Sequence, residues 1–338
     1  MSKTYPPGKL PLSLLDRLLG NYATTDDRVL VGPRVGEDAT VITFGDTCLV
    51  AKSDPITFAT EDMGYYAIQI NANDIATMGA EPRWFLATIL LPENATDDSL
   101  VESLFSSIHR AATEIGVSVC GGHTEITVGL DRPIIAGQML GEVKREDLIQ
   151  SANLQIGDAI LMTKGLGIEA TAILSREKAH QLSELGVESG VLKRTGDYLR
   201  NPGISILKEA RIARRTGEIH AMHDPTEGGV ATALRELAMA ASGGLALYSE
   251  GFIASEDTNL ICSKLGLDPL GVISSGALLI GVAPADSEPV RDAIRANGIA
   301  CEIIGHVKER EFGLRILESG RWYDLPSFDR DEIGRAFE

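Results

Sequence analysis

The sequence predicts an α/β protein built as two domains. Its 338 residues exceed what a single hydrophobic core usually organises. Strand-like and helix-like segments alternate through most of the chain. The hexapeptide GEVKRE at 141–146 is echoed by GHVKER at 305–310, each closing an α/β stretch after a strand, which points to two related units. Hydrophobic residues at 44% against 23% charged supply enough apolar surface for buried cores and exclude a disordered chain.

Residues 1–27 read as a polar tail with one short helix at 11–19. Strands follow at 29–31, 39–44 and 47–52, apolar or β-branched runs bounded by glycine or aspartate. Residues 64–79 read as a helix on the repeat Ile68, Ala72, Ile75, Ala76. A second helix at 97–115 takes Thr96 as N-cap, carries the stripe Val101, Leu104, Phe105, Ile108, Ala112 and Ile115, and stops at Gly116. Strands at 118–120 and 134–140 complete a first domain, 28–150. The second domain, 151–338, opens with a strand at 159–163. Its helices fall near 169–176, 204–216, 229–241 and 287–297, and its strands include 277–282 and 302–305.

Lys and Arg number 31 against 48 Asp and Glu, a net charge of −17. That speaks against a nucleic-acid partner, because phosphate recognition needs a basic surface. No apolar run approaches the ~20 residues of a membrane span, and the N-terminus lacks the pattern of a secretory signal. Cys48, Cys120, Cys262 and Cys301 lie far apart without a CxxC pair, the usage expected of free thiols in a cytoplasmic protein.

Four motifs in the first domain set acids or hydroxyls beside glycine or at the end of an element. Gly36-Glu37-Asp38-Ala39 precedes a strand. Lys52-Ser53-Asp54-Pro55 ends one, with the proline expected to stop the ladder. Asn71-Ala72-Asn73-Asp74 sits on the apolar helix, with Asn71 and Asp74 on one face, about opposite the Ile68/Ala72/Ile75 stripe. Gly121-Gly122-His123-Thr124-Glu125 directly follows a buried-looking strand. A carboxylate on so apolar a helix is costly unless something pairs with it. Oxygen donors without a His/Cys set suit Mg²⁺ rather than zinc, and glycine pairs let backbone N–H groups approach phosphate. Together they read as a Mg²⁺–nucleotide site. Singly, Asp38 or Asp54 is an ordinary turn or strand-end residue, Asp74 a helix acid paired with an arginine, and His123 a loop histidine. Gly8-Lys9-Leu10 and the TKGLG of 163–167 lack Walker spacing, and Asn94-Ala95-Thr96 reads as a helix cap.

In the second domain, His223-Asp224-Pro225-Thr226-Glu227-Gly228-Gly229 stands immediately before a helix. Glycines at a helix N-terminus suit an anion, and His223, Asp224 and Glu227 have the chemistry for proton transfer. The alternative is a capping turn in which Thr226 or Asp224 satisfies the first helix N–H groups.

In this order the motifs resemble the aminoimidazole-ribonucleotide synthetase-related (PurM-like) superfamily, and most closely its hydrogenase maturation branch, HypE. The matching stretches are VGEDATVI (35–42), KSDPITF (52–58), NANDIATMGAEP (71–82), CGGHTE (120–125), GDAILMTKGLGIEAT (157–171), HDPTEGG (223–229) and LGLDPLGVISSGALLI (265–280). They cover almost the whole chain. The resemblance implies a PurM-like two-domain fold. Its N-terminal domain forms a β-barrel across a homodimer, and its C-terminal domain is mixed α/β. It further implies ATP and Mg²⁺ bound in a cleft between domains, and phosphoryl transfer to a small amide-, carbamoyl- or amine-type acceptor. A maturation protein is the implied partner. Carried over residue by residue, Asp38, Asp54, Asp74 and Glu125 look like the metal set. Gly36, Asn71, Gly121, Gly122 and Thr124 look like the nucleotide side, with Gly121, Gly122 and Thr124 as a phosphate loop and Lys52 and Lys164 as charge neutralisers. His223, Asp224 and Glu227 look like the catalytic, acceptor-side wall.

Two departures stand out. The branch usually has an acid after the Gly-Gly pair, where this chain has His123, with Glu125 two residues on. HypE ends in a cysteine that carries the carbamoyl group, whereas this sequence ends Gly334-Arg335-Ala336-Phe337-Glu338, so that tail chemistry is not expected here. The alternative function is a non-catalytic, ATP-binding maturation or regulatory partner of the same fold.

Overall fold

The computed structural model describes residues 5, 10–23, 26–33, 36–57 and 61–338. Most of the predicted tail before residue 10, including Gly8 and Lys9, lies outside the described residues, as do Val35 and Phe58 of the motifs quoted above. The chain separates into two compact units. An N-terminal unit holds Thr25–Gly32 and Asp38–Leu148; a C-terminal unit holds Ile149–Glu338 together with Pro33–Glu37 and the earlier residues. The predicted division into continuous stretches at 150/151 therefore differs from the structure, because residues 33–37 count with the C-terminal unit.

Helix α1 (Leu12–Tyr22) is the expected short helix. In the N-terminal unit, β1 (Val29–Val31), β2 (Thr40–Phe44) and β3 (Thr47–Ile56) precede α2 (Met63–Thr77), β4 (Glu81–Pro92), α3 (Asp98–Ile115), β5 (Ser118–Thr127) and β6 (Ile134–Lys144). Among the described residues they form one sheet in the order β1-β2-β3-β6-β4-β5, antiparallel except for the β4–β5 pair that α3 connects.

Helix α2 has no solvent face. Every residue from Met63 to Thr77 is buried, in keeping with the apolar helix read from the sequence. It packs on β3, β4, β6 and α3. Gly137 of β6 makes the approach possible, since a Cβ there would stand 2.6 Å from Asn71 Nδ2 and 2.8 Å from the Phe85 ring. Three local expectations also change. Pro55 does not stop the ladder: β3 runs through it to Ile56 opposite β6. Beyond Ala51 it has no β2 partner, and a strand free on one side tolerates proline. The N-cap of α3 is Asp97, which accepts from the Leu100 N–H at 2.8 Å, while the Thr96 hydroxyl donates to Pro92 O. Strand β5 extends from Ser118 to Thr127, so the Gly-Gly motif lies inside an exposed edge strand rather than in a loop.

The C-terminal unit continues with β7 (Ala159–Thr163), α4 (Ile168–Glu177), α5 (Ala179–Glu184), α6 (Ser189–Gly196), α7 (Leu207–Thr216), β8 (Ile219–His223), α8 (Gly229–Ala240) and β9 (Gly244–Tyr248). It ends with α9 (Glu256–Leu265), β10 (Leu279–Val282), α10 (Ser287–Ala296), β11 (Cys301–Lys308), β12 (Leu314–Glu318) and β13 (Arg321–Asp324). The sheet order is β13-β12-β9-β11-β7-β10-β8. Leu234 and Leu237 of α8 pack with Leu247, Leu279 and Ile304 of the sheet, while Leu174, Leu182 and Ile261 form a second core among α4, α5 and α9. The four cysteines are free thiols, with only Cys120 exposed.

At the start of β8, His220 Nδ1 lies 2.8 Å from Asp158 Oδ2 and its Nε2 lies 3.4 Å from Glu218 Oε1. Burial opposes the charged ring, but the hydrogen bond and charge of Asp158, then those of Glu218, outweigh it and raise the pKa above the ordinary 6.5. The protonated pair therefore stabilises the fold fully below about pH 6.5 and loses that contribution as pH rises through the folded pKa. The urea midpoint is expected to fall between pH 6 and pH 8, and His220→Gln is expected to make this slope shallower. An unchanged slope in the variant would place the pH dependence elsewhere.

Candidate functional site

The N-terminal unit gathers its polar side chains where β3 meets α2. Asn71, wholly buried, accepts from the Asp54 N–H at 2.9 Å through Oδ1. Its Nδ2 donates to Ala67 O at 2.9 Å and to Asp54 O at 3.3 Å. Both N–H groups are thus committed to main chain, and the oxygen accepts one main-chain bond. Asn71 fastens the strand to the helix, with both its N–H groups spent on main chain.

That fastening sets the acids. Asp74, one turn along α2, is 3% exposed, and Lys52 Nζ lies 3.4 Å from both Asp74 Oδ1 and Asp54 Oδ2. Asp38, 9% exposed and just ahead of β2, offers a carboxylate oxygen within 4.8 Å of one from Asp74. Two buried carboxylates this close repel unless a cation stands with them. The donors are all oxygens, as Mg²⁺ requires, so these residues fit the metal that the sequence implies.

Gly121, Gly122, Thr124 and Glu125 do not join this group within the chain. The cross-strand row Asp54–Gly137–Ala87–Gly122 puts Gly122 three strands from Asp54, or ~14 Å at the usual strand spacing. Glu125 is three residues further along β5 and lies 3.1 Å from His123 Nε2 through Oε2. Gly122 has a packing reason of its own: at φ +143°, a Cβ would stand 2.0 Å from Ala87 O, so close pairing with β4 demands glycine.

In the C-terminal unit, His223 ends β8 with 4% exposure, its Nε2 lying 3.1 Å from Glu236 Oε2 on α8. Asp224 is 2% exposed, and Thr226 and Glu227 are half-buried. A histidine paired with a carboxylate is equipped to hold or pass a proton. Helix α8 has no side-chain cap: the Gly229 N–H donates to Thr226 O at 3.0 Å, and Asp331 Oδ2 accepts from the Gly228 N–H at 2.7 Å just ahead of the helix. Gly36 belongs beside this helix, since a Cβ there would meet Glu236 O at 2.6 Å. Its role is close packing. Lys164 is likewise committed. Its Nζ lies 2.8 Å from Glu209 Oε1 and donates to the carbonyls of Gly203 and Ser205, using all three protons inside the unit. It is therefore not available as a phosphate neutraliser.

Glu236, Asp331 and Glu209 have no signal in the sequence, because each partner is remote in the chain or masked by ordinary helix composition. Only the doubled glycine before α8 marked that helix start as special.

Residues 36–143 match the family described as AIR synthase related protein, N-terminal domain, and residues 155–316 match its C-terminal domain. A protein of Methanocaldococcus jannaschii named for hydrogenase expression and formation is 30% identical over 332 residues, 95% of each chain. The carbamoyl dehydratase HypE of Cupriavidus necator is 28% identical over 272 residues, covering 80% of this chain and 72% of that one. Among solved structures, HypE from a HypE–HypF complex superposes with TM-score 0.76 at 22% identity, over 94% of this chain and 100% of that one. HypE in complex with ATP gives TM-score 0.71 at 23% identity, over 94% and 91%. The fold of this chain is that of these structures.

Lys164 and Glu209 are 7% and 1% exposed. Lys164→Met would leave Glu209 charged and buried, a loss of about 3–5 kcal/mol. The double variant Lys164→Met/Glu209→Leu is expected to recover most of it. Urea unfolding reads both, and a mild single variant would return Lys164 to the ligand-binding candidates.

Proposed function

The chain belongs to the AIR synthase related protein family, and from that membership we propose that it is an ATP-dependent enzyme. In this reading it transfers the γ-phosphoryl group of Mg²⁺-ATP to a small amide-, carbamoyl- or amine-type acceptor. The observation that supports it best is the buried Asp38–Asp74 pair beside Lys52, whose carboxylate oxygens lie within 4.8 Å of one another. Asp38 and Asp74 would hold the ion, with Asp54 kept in reach by Lys52 and by the Asn71 clamp. When bound, Mg²⁺ neutralises phosphate charge and favours in-line displacement. Lys52 balances the remaining acid, and the buried floor of α2 excludes water. On the acceptor side, His223 with Glu236 takes up a proton where the nucleophile is an amine or hydroxyl. An amide oxygen needs positioning alone.

Other features bear on partners. The face of the N-terminal sheet away from α2 carries Leu86, Leu90, Ala136 and Leu140, all half-buried, and β5 leaves Val119 and Ile126 at 47% and 60% exposed. An apolar sheet face ending in an open edge calls for another sheet. The proposed occupant is a second copy of this chain, giving a homodimer with a shared barrel. The solved HypE–HypF complex supports a maturation protein as a further partner. No described helix is long and apolar enough to cross a membrane, and four free thiols suit a reducing cytoplasm.

Calorimetric titration of ATP is expected to show Mg²⁺-dependent binding that Asp74→Asn weakens at least ~10-fold, about 1.4 kcal/mol, with the unfolding midpoint held. Binding that ignores both Mg²⁺ and Asp74 would remove the site. ATP binding without turnover on any acceptor would favour the non-catalytic partner protein. Ile126→Lys is expected to shift sedimentation from dimer to monomer. A wild-type monomer at tens of micromolar would end the dimer reading.

A further inference from the structure

The TKGLG segment at 163–167 lacks Walker spacing, yet in the structure it forms one wall of a cavity of about 360 Å³ in the C-terminal unit. That size falls within the roughly 300–1,000 Å³ of small-molecule sites. Lys164, Gly165 and Gly167 hold φ at +55°, +144° and +61°. A lysine in the left-handed region is strained, and such strain gathers at binding sites. Leu166 and Ile168 add apolar surface to this wall. The second wall is the end of α6 and the turn after it, with Arg194, Asp197, Tyr198 and Asn201. The third is Ser255 and Thr258, at the start of α9.

Both cations of these walls are already neutralised. Arg194 pairs with Asp257 through two bonds, Nε to Oδ2 and Nη2 to Oδ1, each at 2.8 Å. Lys164 is spent on Glu209 and two carbonyls. The hydroxyls run in one chain: Tyr198 Oη lies 3.2 Å from both Asp257 Oδ2 and Ser255 Oγ, and Ser255 donates to Thr258 Oγ1 at 2.8 Å. That chain ties the third wall to the second. Asp197 and Asn201 differ. Both are exposed, and neither side chain bonds to another described residue. The cavity therefore keeps one carboxylate that only accepts and one amide that both donates and accepts.

We propose that this cavity binds a small neutral polyol, a cyclic sugar or cyclitol, held by Asp197 and Asn201. The site goes beyond the phosphoryl-transfer reading and does not depend on it. No cation of the walls is left to hold an anion, and Asp197 repels one. The start of α4 at Ile168 has no side-chain cap, and a helix N-terminus disfavours a positive charge. The two effects together select against either sign. Polar groups stand on two walls, so a ligand with a single polar head would leave one of them unmatched. Hydroxyls around a ring meet both. Neighbouring hydroxyls donate to the Asp197 carboxylate, another exchanges bonds with the Asn201 amide, and the ring's C–H surface lies against Leu166, Ile168 and Pro202.

The test titrates methyl α-D-glucopyranoside, D-ribose and myo-inositol into the full chain, with binding read by ligand-observed NMR. D-glucuronate and D-glucosamine serve as the anionic and cationic arms. The expected result is that a neutral probe binds, and binds more tightly than either charged sugar. Asn201→Leu and Asp197→Leu are each expected to weaken it at least ~10-fold. Both side chains are exposed and make no bond that holds the fold, so the unfolding midpoint is expected to stay at the wild-type value in each variant. The site is overturned by no binding of any neutral probe to the folded wild type, or by binding that either variant leaves unchanged. Tighter binding of D-glucuronate or D-glucosamine would overturn the neutral assignment and mark the cavity as a site for that charge.

Discussion

The buried amide of Asn71 spends its two N–H groups and its oxygen on the main chain of α2 and β3, and the polar centre of the N-terminal unit is arranged around that fastening. A helix buried on all sides must account for each polar atom it carries, since an unmade bond costs about 1–3 kcal/mol. Asn71 meets that demand while fixing Asp54 at a set height on the strand. With the strand held, Lys52 two residues earlier reaches both Asp54 and Asp74. Glycine at 137 is the matching requirement on the sheet, because any side chain there would push the amide away.

Much of this was legible in the sequence, for particular reasons. The acids Asp38, Asp54 and Asp74 stood out because carboxylates in apolar surroundings are conspicuous, and the resemblance supplied their common role. The expected strands at 29–31 and 159–163 and the helix ending at Gly116 were read from local chemistry that tertiary structure left intact. Strand β4 was not assigned, because Trp84 to Leu91 is apolar on both faces and shows no period of two. Asn71, Gly36 and Lys164 depart from the expectation for a different reason. A polar or glycine residue inside a motif looks like a ligand contact until its packing partner is seen, and those partners lie 17, about 200 and 45 residues away.

In the C-terminal unit the same economy takes an electrostatic form. Ahead of helix α8 the amide of Gly228 is taken by the chain's own carboxylate, Asp331, from 103 residues downstream, while the Gly229 and Ala231 amides donate to the carbonyls of Thr226 and Leu270. These bonds leave fewer amides for an anion at the helix start, and Asp331 adds negative charge there. Whatever meets the His223–Gly229 turn therefore faces acids rather than bare amides, which separates this wall from the phosphate-binding helix starts it resembles by sequence.

The placement of residues 33–37 with the C-terminal unit has a consequence for inheritance. Gly36 is pressed on Glu236, and Glu37 accepts from the amides of Ser151 and Ala152, so the C-terminal unit is completed by a ribbon encoded ahead of the N-terminal one. A single recombination point near codon 149 would hand a new protein a C-terminal half without that ribbon. Exchange of the units between genes requires two crossovers, and the pair is expected to travel through evolution as one cassette.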